Sequence, residues 1–158
     1  MFYFQDGFFH VNGVSFRLPD GFYLDSCPEE HYKNSFSLYP EDTSFWMQII
    51  VSEDCMDAGK ELEYLFIDNT GMKPLGPVTP IAVNGFTGYQ TVYCGGLREY
   101  YEVRLNLPCG QRLCNFVMVL MAITCSIGEA IAHPGVRQVL KSLQSSRWRG
   151  VNRLEEWY

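Results

Sequence analysis

The sequence has few charged residues and little positive charge. Only 19% of its 158 residues are charged, and 12 basic side chains stand against 18 acidic ones, so the formal net charge is −6. Proteins that bind nucleic acids need clustered Lys and Arg to neutralise phosphates. The composition therefore argues against a nucleic-acid partner.

Long apolar segments are also missing. The longest uninterrupted apolar run, residues 116–123, has eight residues, whereas a membrane-spanning helix needs about 20. The first six residues have no basic flank and no apolar stretch of the length of a secretory signal. We therefore expect no membrane span and a cytoplasmic location, in which the six cysteines stay reduced.

Aromatic residues, in contrast, are abundant. The chain has 11 Phe, 10 Tyr and 3 Trp, which together make 15% of its residues. A chain of this size buries roughly 70% of its unfolded surface, and this composition excludes disorder over most of the length. We expect one domain over residues 1–146, followed by an aromatic C-terminal extension over residues 147–158.

Local patterns predict a series of strands and helices. The turn Asn12-Gly13 predicts a hairpin in which Phe9 faces Phe16, since Asn-Gly tolerates the positive φ angles of a type I′ turn. Apolar alternation predicts a strand over residues 45–52, and helical spacing predicts a helix over residues 55–69, capped by Asp54 or Asp57. A four-strand meander follows over residues 81–124, in which the run 116–123 is the central strand. Ser126 and Glu129 form a capping box before two short helices separated at Pro134.

Three segments in this order of elements resemble the PsbP-like fold. They are Phe16-Arg17-Leu18-Pro19-Asp20-Gly21-Phe22, the mid-chain Gly85 after a short strand, and Val139-Leu140-Lys141-Ser142 near the end. The resemblance covers residues 7–145, and the family includes the Mog-type Ran-binding protein and the DcrB-like bacterial proteins. It implies an α+β fold, with a curved, mostly antiparallel sheet flanked by helices as an α/β/α sandwich. It also implies a non-enzymatic module that binds or assembles proteins, such as a secretion-associated chaperone or adaptor.

The C-terminal extension is the candidate interaction surface. Arg147, Trp148, Arg149, Trp157 and Tyr158 are of the residue types enriched at protein interfaces. The occupant would be a protein partner or a second copy of this chain in a homodimer. Alternatively, the extension folds back and covers the protein's own sheet.

Two other functions are open. A small-molecule pocket between sheet and helix would be lined by Tyr89, Tyr93, Tyr100 and Tyr101. In a thiol enzyme, Cys27 would be the nucleophile, with its pKa lowered by His31, if the two lay on one helical face.

The sequence argues against catalysis and against metals. No oxyanion-binding group or third orienting residue accompanies Cys27, so a solvated loop is the favoured interpretation. A structural zinc site needs two close ligand pairs, and only Cys109 and Cys114 are close, while His10 and His133 lie far away in sequence. We predict no catalytic residue, no metal and no cofactor.

Overall fold

The computed structural model describes residues 2–26, 35–52, 57–64, 66, 71–109 and 112–145. The strands are β1 (Phe2–Gln5), β2 (Phe8–Val11), β3 (Val14–Arg17), β4 (Phe22–Ser26), β5 (Ser35–Pro40), β6 (Phe45–Ser52), β7 (Met72–Pro74), β8 (Thr79–Val83), β9 (Phe86–Gly95), β10 (Arg98–Cys109), β11 (Arg112–Ala122) and β12 (Gln144–Ser145). The helices are α1 (Ala58–Tyr64), α2 (Ile127–Ala132) and α3 (Pro134–Ser142).

The strands form two antiparallel sheets. The small sheet has the order β1-β2-β3-β12, and the large sheet has the order β4-β5-β6-β11-β10-β9-β7, with β8 also paired to β9. Strand β11 lies in the middle of the large sheet between β6 and β10, as its apolar run predicts, and the meander from β8 to β11 is confirmed. The protein is therefore an α+β fold made mostly of antiparallel sheet.

The main core lies between the two sheets, which corrects the expectation of one sheet sandwiched by helices. Phe9 on β2 contacts Phe36 on β5, with ring centroids 5.0 Å apart, and Phe16 on β3 contacts Phe116 on β11 at 5.9 Å. All four rings are buried. The hairpin has an apolar face of its own, and burying that face against the large sheet makes it a second β layer rather than an appendage.

Local turn and cap chemistry follows the sequence closely. Asn12-Gly13 and Asn84-Gly85 both have positive φ angles, and Phe9 pairs with Phe16 across the first of these hairpins. Asp57 accepts the backbone N–H of Gly59 and so caps α1. The Ser126 capping box on α2 and Pro134 in the first turn of α3 are also confirmed.

The side chain of Asn84, in the β8–β9 turn, hydrogen-bonds to the C-terminal end of α3 and so links that helix to the large sheet. Its Nδ2 group lies within hydrogen-bonding distance of the carbonyl oxygens of Leu140, Lys141 and Leu143, at 2.6–3.2 Å. These carbonyls belong to the last turn of α3 and to its C-cap residue Leu143, where carbonyl groups lack the partner four residues on that the helix interior supplies. The same turn residue thus closes a hairpin and caps a helix that is far away in sequence.

The cysteines do not all remain reduced. Cys94 and Cys125 are free thiols, as expected, but Cys114 is disulfide-bonded. Cys114 lies buried on β11, and the expectation of a reduced thiol at this position is wrong. Sequence alone cannot show which buried thiols come close enough to oxidise.

Candidate functional site

Two of the predicted sites lie outside the described residues. The tail residues Arg147, Trp148, Arg149, Trp157 and Tyr158 follow the last described residue, and Cys27 and His31 fall in the segment between β4 and β5. The interaction surface on the tail and the thiol enzyme therefore stay predictions. Within the described ranges, no three His, Cys, Asp or Glu side chains converge as metal ligands would.

The four tyrosines predicted to line one pocket lie on both faces of the large sheet. Tyr93 and Tyr100 stack, with ring centroids 5.2 Å apart, and Tyr89 is on the same face as Tyr93 because two residues separate successive positions on a strand face. Tyr101 lies on the opposite face and donates its hydroxyl hydrogen to Gln90. The prediction of one pocket lined by all four rings is therefore wrong.

A buried ionic network lies under α1 on the face that carries Tyr93. Glu102 is only 2% exposed. Its Oε2 atom accepts from Nε of Arg104 at 2.7 Å, and its Oε1 atom accepts from the hydroxyl of Tyr93 at 2.8 Å. Arg104 also faces Glu61 of α1 at 3.7 Å. Alternation along β10 predicts Glu102 on its polar side, but α1 covers that side, and the carboxylate is buried with its partners.

Burial changes the proton affinity of two tyrosines. It raises the pKa of Tyr101 to about 12, an effect that the nearby Arg137 partly offsets. It also raises the pKa of Tyr93, whose hydroxyl faces the Glu102 carboxylate as well. Both groups hold their protons more tightly in the folded chain than the ordinary value of 10.0 allows.

Alkaline pH should therefore destabilise the fold. Because the folded pKa of Tyr101 lies above its unfolded value, the contribution to stability is fully present below about pH 10 and is lost as the pH rises toward 12. We expect the free energy of unfolding to fall across this window in urea titrations followed by circular dichroism. Absorbance at 295 nm, compared between the wild type and Tyr101→Phe, would isolate the ionisation of Tyr101.

The control for this pH effect is Tyr3→Phe, since Tyr3 is 48% exposed. Its alkaline stability profile should match that of the wild type, whereas the profile of Tyr101→Phe should be flatter. If Tyr101 ionised near pH 10 while the fold remained intact, the expectation would be wrong.

An open groove of about 500 Å³ lies beside the start of α1. Its lining residues come from the residue before α1, the β8–β9 hairpin and β10, and they are Asp57, Pro80, Ile81, Ala82, Thr87, Gly88, Tyr89 and Asn106. Asn106 fixes this corner, because its Oδ1 accepts from the backbone N–H of Ala58 at 3.0 Å and its Nδ2 faces Asp57 at 3.4 Å. Of the four tyrosines predicted for a pocket, only Tyr89 lines this groove.

Large apolar side chains are exposed on two edge strands. Tyr3 and Phe4 on β1 are 48% and 50% exposed, and Tyr23 and Leu24 on β4 are 44% and 37% exposed. Among the strands that the structure describes, β1 is the last strand of the small sheet, and β4 is the last strand of the large sheet. We call these four residues the open edge.

The open edge lies on one side of the sandwich. Phe4 contacts Phe9 at 4.9 Å, and Phe9 contacts Phe36 on β5 at 5.0 Å, which places β1 over the side of the large sheet where β4 pairs with β5. Sequence reasoning missed β1, although Asp6-Gly7 is a hairpin signal of the same type as Asn12-Gly13. Both Asp6 and Gly7 have positive φ angles in the structure.

The described residues thus form a two-sheet α+β protein with an apolar open edge, a buried ionic network and a partly polar groove beside α1. No described helix is long and apolar enough to cross a membrane. No protein-family model matches the sequence, and no curated protein matches it significantly.

A solved structure shares the fold. LpqN of Mycobacterium tuberculosis, a protein involved in cell envelope biogenesis, is similar with a TM-score of 0.58 at 13% identity, over 83% of this chain and 82% of LpqN. A protein of Bacteroides thetaiotaomicron has a TM-score of 0.47 at 12% identity, over 84% of this chain and 45% of that protein. The likeness to LpqN shows the fold alone.

Proposed function

We propose that this protein is a non-enzymatic binding module of PsbP-like type that captures an extended segment of a partner protein at its open edge. The observation that carries this proposal is the half-exposed pair Phe4 and Leu24, on edge strands of two different sheets at one side of the sandwich. An edge strand offers backbone N–H and C=O groups that can pair with an added strand, and the exposed side chains offer apolar contacts for alternate residues of that strand.

The charges next to the open edge favour a basic partner. Asp6 follows β1 and Asp25 lies on β4, both are exposed, and residues 2–6 and 22–26 contain no Lys or Arg. The whole chain carries a net charge of −6. A segment that alternates apolar residues with Lys or Arg would complement both the apolar and the acidic groups.

Selection from a displayed peptide library tests this function. Peptides selected on the wild type should alternate apolar and basic residues, and the double variant Phe4→Lys, Leu24→Lys should bind them at least tenfold more weakly, since loss of a hot-spot side chain costs about 2 kcal/mol. The measurement is peptide affinity by fluorescence anisotropy.

The matched control is Leu97→Lys. Leu97 is a fully exposed apolar residue in the β9–β10 turn, several strands away from β4, so its replacement should leave peptide affinity unchanged. Peptides that bound the double variant as tightly as the wild type would refute the open edge as the binding surface. The same titration on a chain truncated after Ser146 tests whether the tail contributes a second contact surface.

The fold shared with LpqN and the disulfide of Cys114 both bear on the proposed role. LpqN, which shares the fold, is involved in cell envelope biogenesis, and assembly of an envelope needs protein-binding modules as well as enzymes. The disulfide of Cys114 is typical of oxidising compartments and counts against the predicted cytoplasmic location. A small-molecule site remains the second candidate, and the groove beside Tyr89 favours it.

A further inference from the structure

We propose that the segment captured at the open edge is the C-terminal extension of a second copy of this chain, so that two copies form a dimer by exchanging residues 147–154. The inference rests on the proposed function, because it names the occupant of the same open edge. Two observations carry it. The extension has the composition that the open edge favours, and the position of β12 keeps the start of the extension away from the open edge of its own chain.

The extension combines basic and apolar residues at alternating positions. Residues 147–153 include Arg147, Arg149 and Arg153, and no other stretch of seven residues in the sequence holds three cations. Because successive side chains of an extended segment point to opposite faces, these arginines would share one face, and Trp148 and Leu154 would share the other. This is the pattern that the open edge requires of its partner.

The open edge and the extension carry opposite charges. The open edge is flanked by the exposed carboxylates of Asp6 and Asp25, with no Lys or Arg in residues 2–6 or 22–26. Opposite charges on facing surfaces favour association and select the correct partner segment. Two copies that each carry a net charge of −6 repel one another overall, so a basic segment is needed to bring them together.

The strand with which the extension can pair is β1. All four residues of β1 pair with β2 in a regular register, and the other side of β1 has no strand partner among the described residues. The register of β4 with β5, in contrast, shifts between Leu24 and Ser26, and such an irregularity disfavours the addition of a strand. We therefore expect the added strand beside β1, where Phe4 and Leu24 provide apolar contacts.

The start of the extension cannot reach β1 of its own chain. Ser145 on β12 pairs with β3, and β12 and β1 are the two outer strands of the small sheet. Three spacings between strands, or roughly 14 Å, therefore separate Ser145 from β1. An extended chain advances at most about 3.6 Å per residue, so the backbone of Arg147 lies within about 7 Å of Ser145 and that of Trp148 within about 11 Å. These residues can pair with β1 only in another copy.

Exchange of the extension closes a dimer. Each copy supplies one open edge and one extension, so two identical contacts form about a twofold axis. Once the first contact has formed, the second is intramolecular and forms at a high effective concentration. Changes to either surface in both copies should therefore remove both contacts.

Sedimentation equilibrium of the full chain tests the exchange. We expect a monomer–dimer equilibrium for the wild type. The edge variant Phe4→Lys, Leu24→Lys and the tail variant Arg147→Glu, Arg149→Glu, Arg153→Glu should each raise the dimer dissociation constant at least tenfold.

A mixture of the two variants should dimerise more strongly than either variant alone. The intact extension of the edge variant meets the intact edge of the tail variant, and at the other contact the introduced glutamates face the introduced lysines. A variant that failed to fold could not restore association in this way. The exchange is overturned if the wild type sediments as a monomer at every concentration, or if the mixture dimerises no more strongly than the separate variants.

The matched control for the tail variant is Lys60→Glu, Lys73→Glu, Arg137→Glu. These three cations are exposed and lie outside both the open edge and the extension. Their reversal changes the net charge by the same amount as the tail variant does. Because salt screens charges that are far apart, the dissociation constant should rise by no more than about twofold. A rise equal to that of the tail variant would contradict a specific contact.

Peptide competition distinguishes failure of the exchange from failure of the proposed function. A synthetic peptide of residues 146–155 should convert the wild-type dimer to monomers, as should the library peptides selected on the open edge. If the selected peptides bind the wild type and not the edge variant, while the 146–155 peptide does not bind, the exchange is wrong and the open edge binds another protein. If the selected peptides bind the edge variant as tightly as the wild type, the proposed function itself is wrong.

Discussion

Replacing Arg104 with Met should lower the free energy of unfolding by about 3–5 kcal/mol, the cost typical of removing one partner from a buried ion pair. Arg104 is the only cation that bonds to Glu102 among the described residues, and the Glu102 side chain is 3% exposed. Without the guanidinium, the carboxylate stays buried with only the Tyr93 hydroxyl as a described hydrogen-bond partner. Urea denaturation followed by circular dichroism measures the loss.

The control for this change is Arg17→Met. Arg17 forms an exposed pair with Asp20, with side chains 47% and 80% exposed, and such pairs contribute well under 1 kcal/mol. The loss should therefore be small, although both variants remove one arginine from an ion pair. A loss below about 1 kcal/mol for Arg104→Met would contradict a buried ion pair between Arg104 and Glu102.

A compensated variant separates the cost of an unpaired charge from the cost of lost packing. Combining Arg104→Met with Glu102→Leu and Tyr93→Phe removes all three polar partners together, so that none of the three leaves a bonding partner behind without its bond. Replacement of a buried ion pair by apolar side chains is often neutral or stabilising. The triple variant should therefore be more stable than Arg104→Met alone.

Features set by residues close together in sequence were predicted well. Asn12-Gly13 closes its hairpin with Phe9 opposite Phe16, because the positive φ angles and the two-residue loop fix the register of the strands. The capping box at Ser126 follows from hydrogen bonds that span three residues. The apolar run predicted that β11 lies in the middle of the large sheet, where the structure has it. A strand with one face in solvent would alternate polar and apolar residues, whereas a strand covered on both faces is apolar throughout.

Features set by residues far apart in sequence were not predicted. The small sheet depends on β12 returning from α3 to pair with β3, a contact between Gln144 and Ser15. The burial of Glu102 depends on where α1 lies, and alternation along β10 reports only that Glu102 and Tyr101 point to opposite faces. The open edge likewise depends on which strands lie at the edge of each sheet. No local sequence pattern predicts that order. Of the residues that line the groove beside α1, only Tyr89 was predicted as a site residue.

Replacing Gly88 with Ala should destabilise the fold by about 3 kcal/mol, the upper part of the range for overpacking a core. Gly88 lies on β9 opposite Leu105 of β10. A Cβ atom there would be 1.9 Å from the carbonyl oxygen of Arg104 and 2.8 Å from Cα of Leu105. Both of these atoms belong to the backbone, so no side-chain rotation can make room, and β9 and β10 would have to separate locally. Chemical denaturation measures the change in the free energy of unfolding.

Gly76→Ala is the matched control, because a Cβ atom at Gly76 meets nothing within 4 Å. Its effect should stay within about 0.5 kcal/mol, as for other substitutions away from special features. Gly88 does not have a positive φ angle, so close approach of the neighbouring strand is the reason that glycine is needed there, and the loss should come from broken pairing. Amide hydrogen exchange in Gly88→Ala should accordingly increase first on β9 and β10. If Gly88→Ala were as stable as Gly76→Ala, this result would contradict the close approach of β9 to β10 at Gly88.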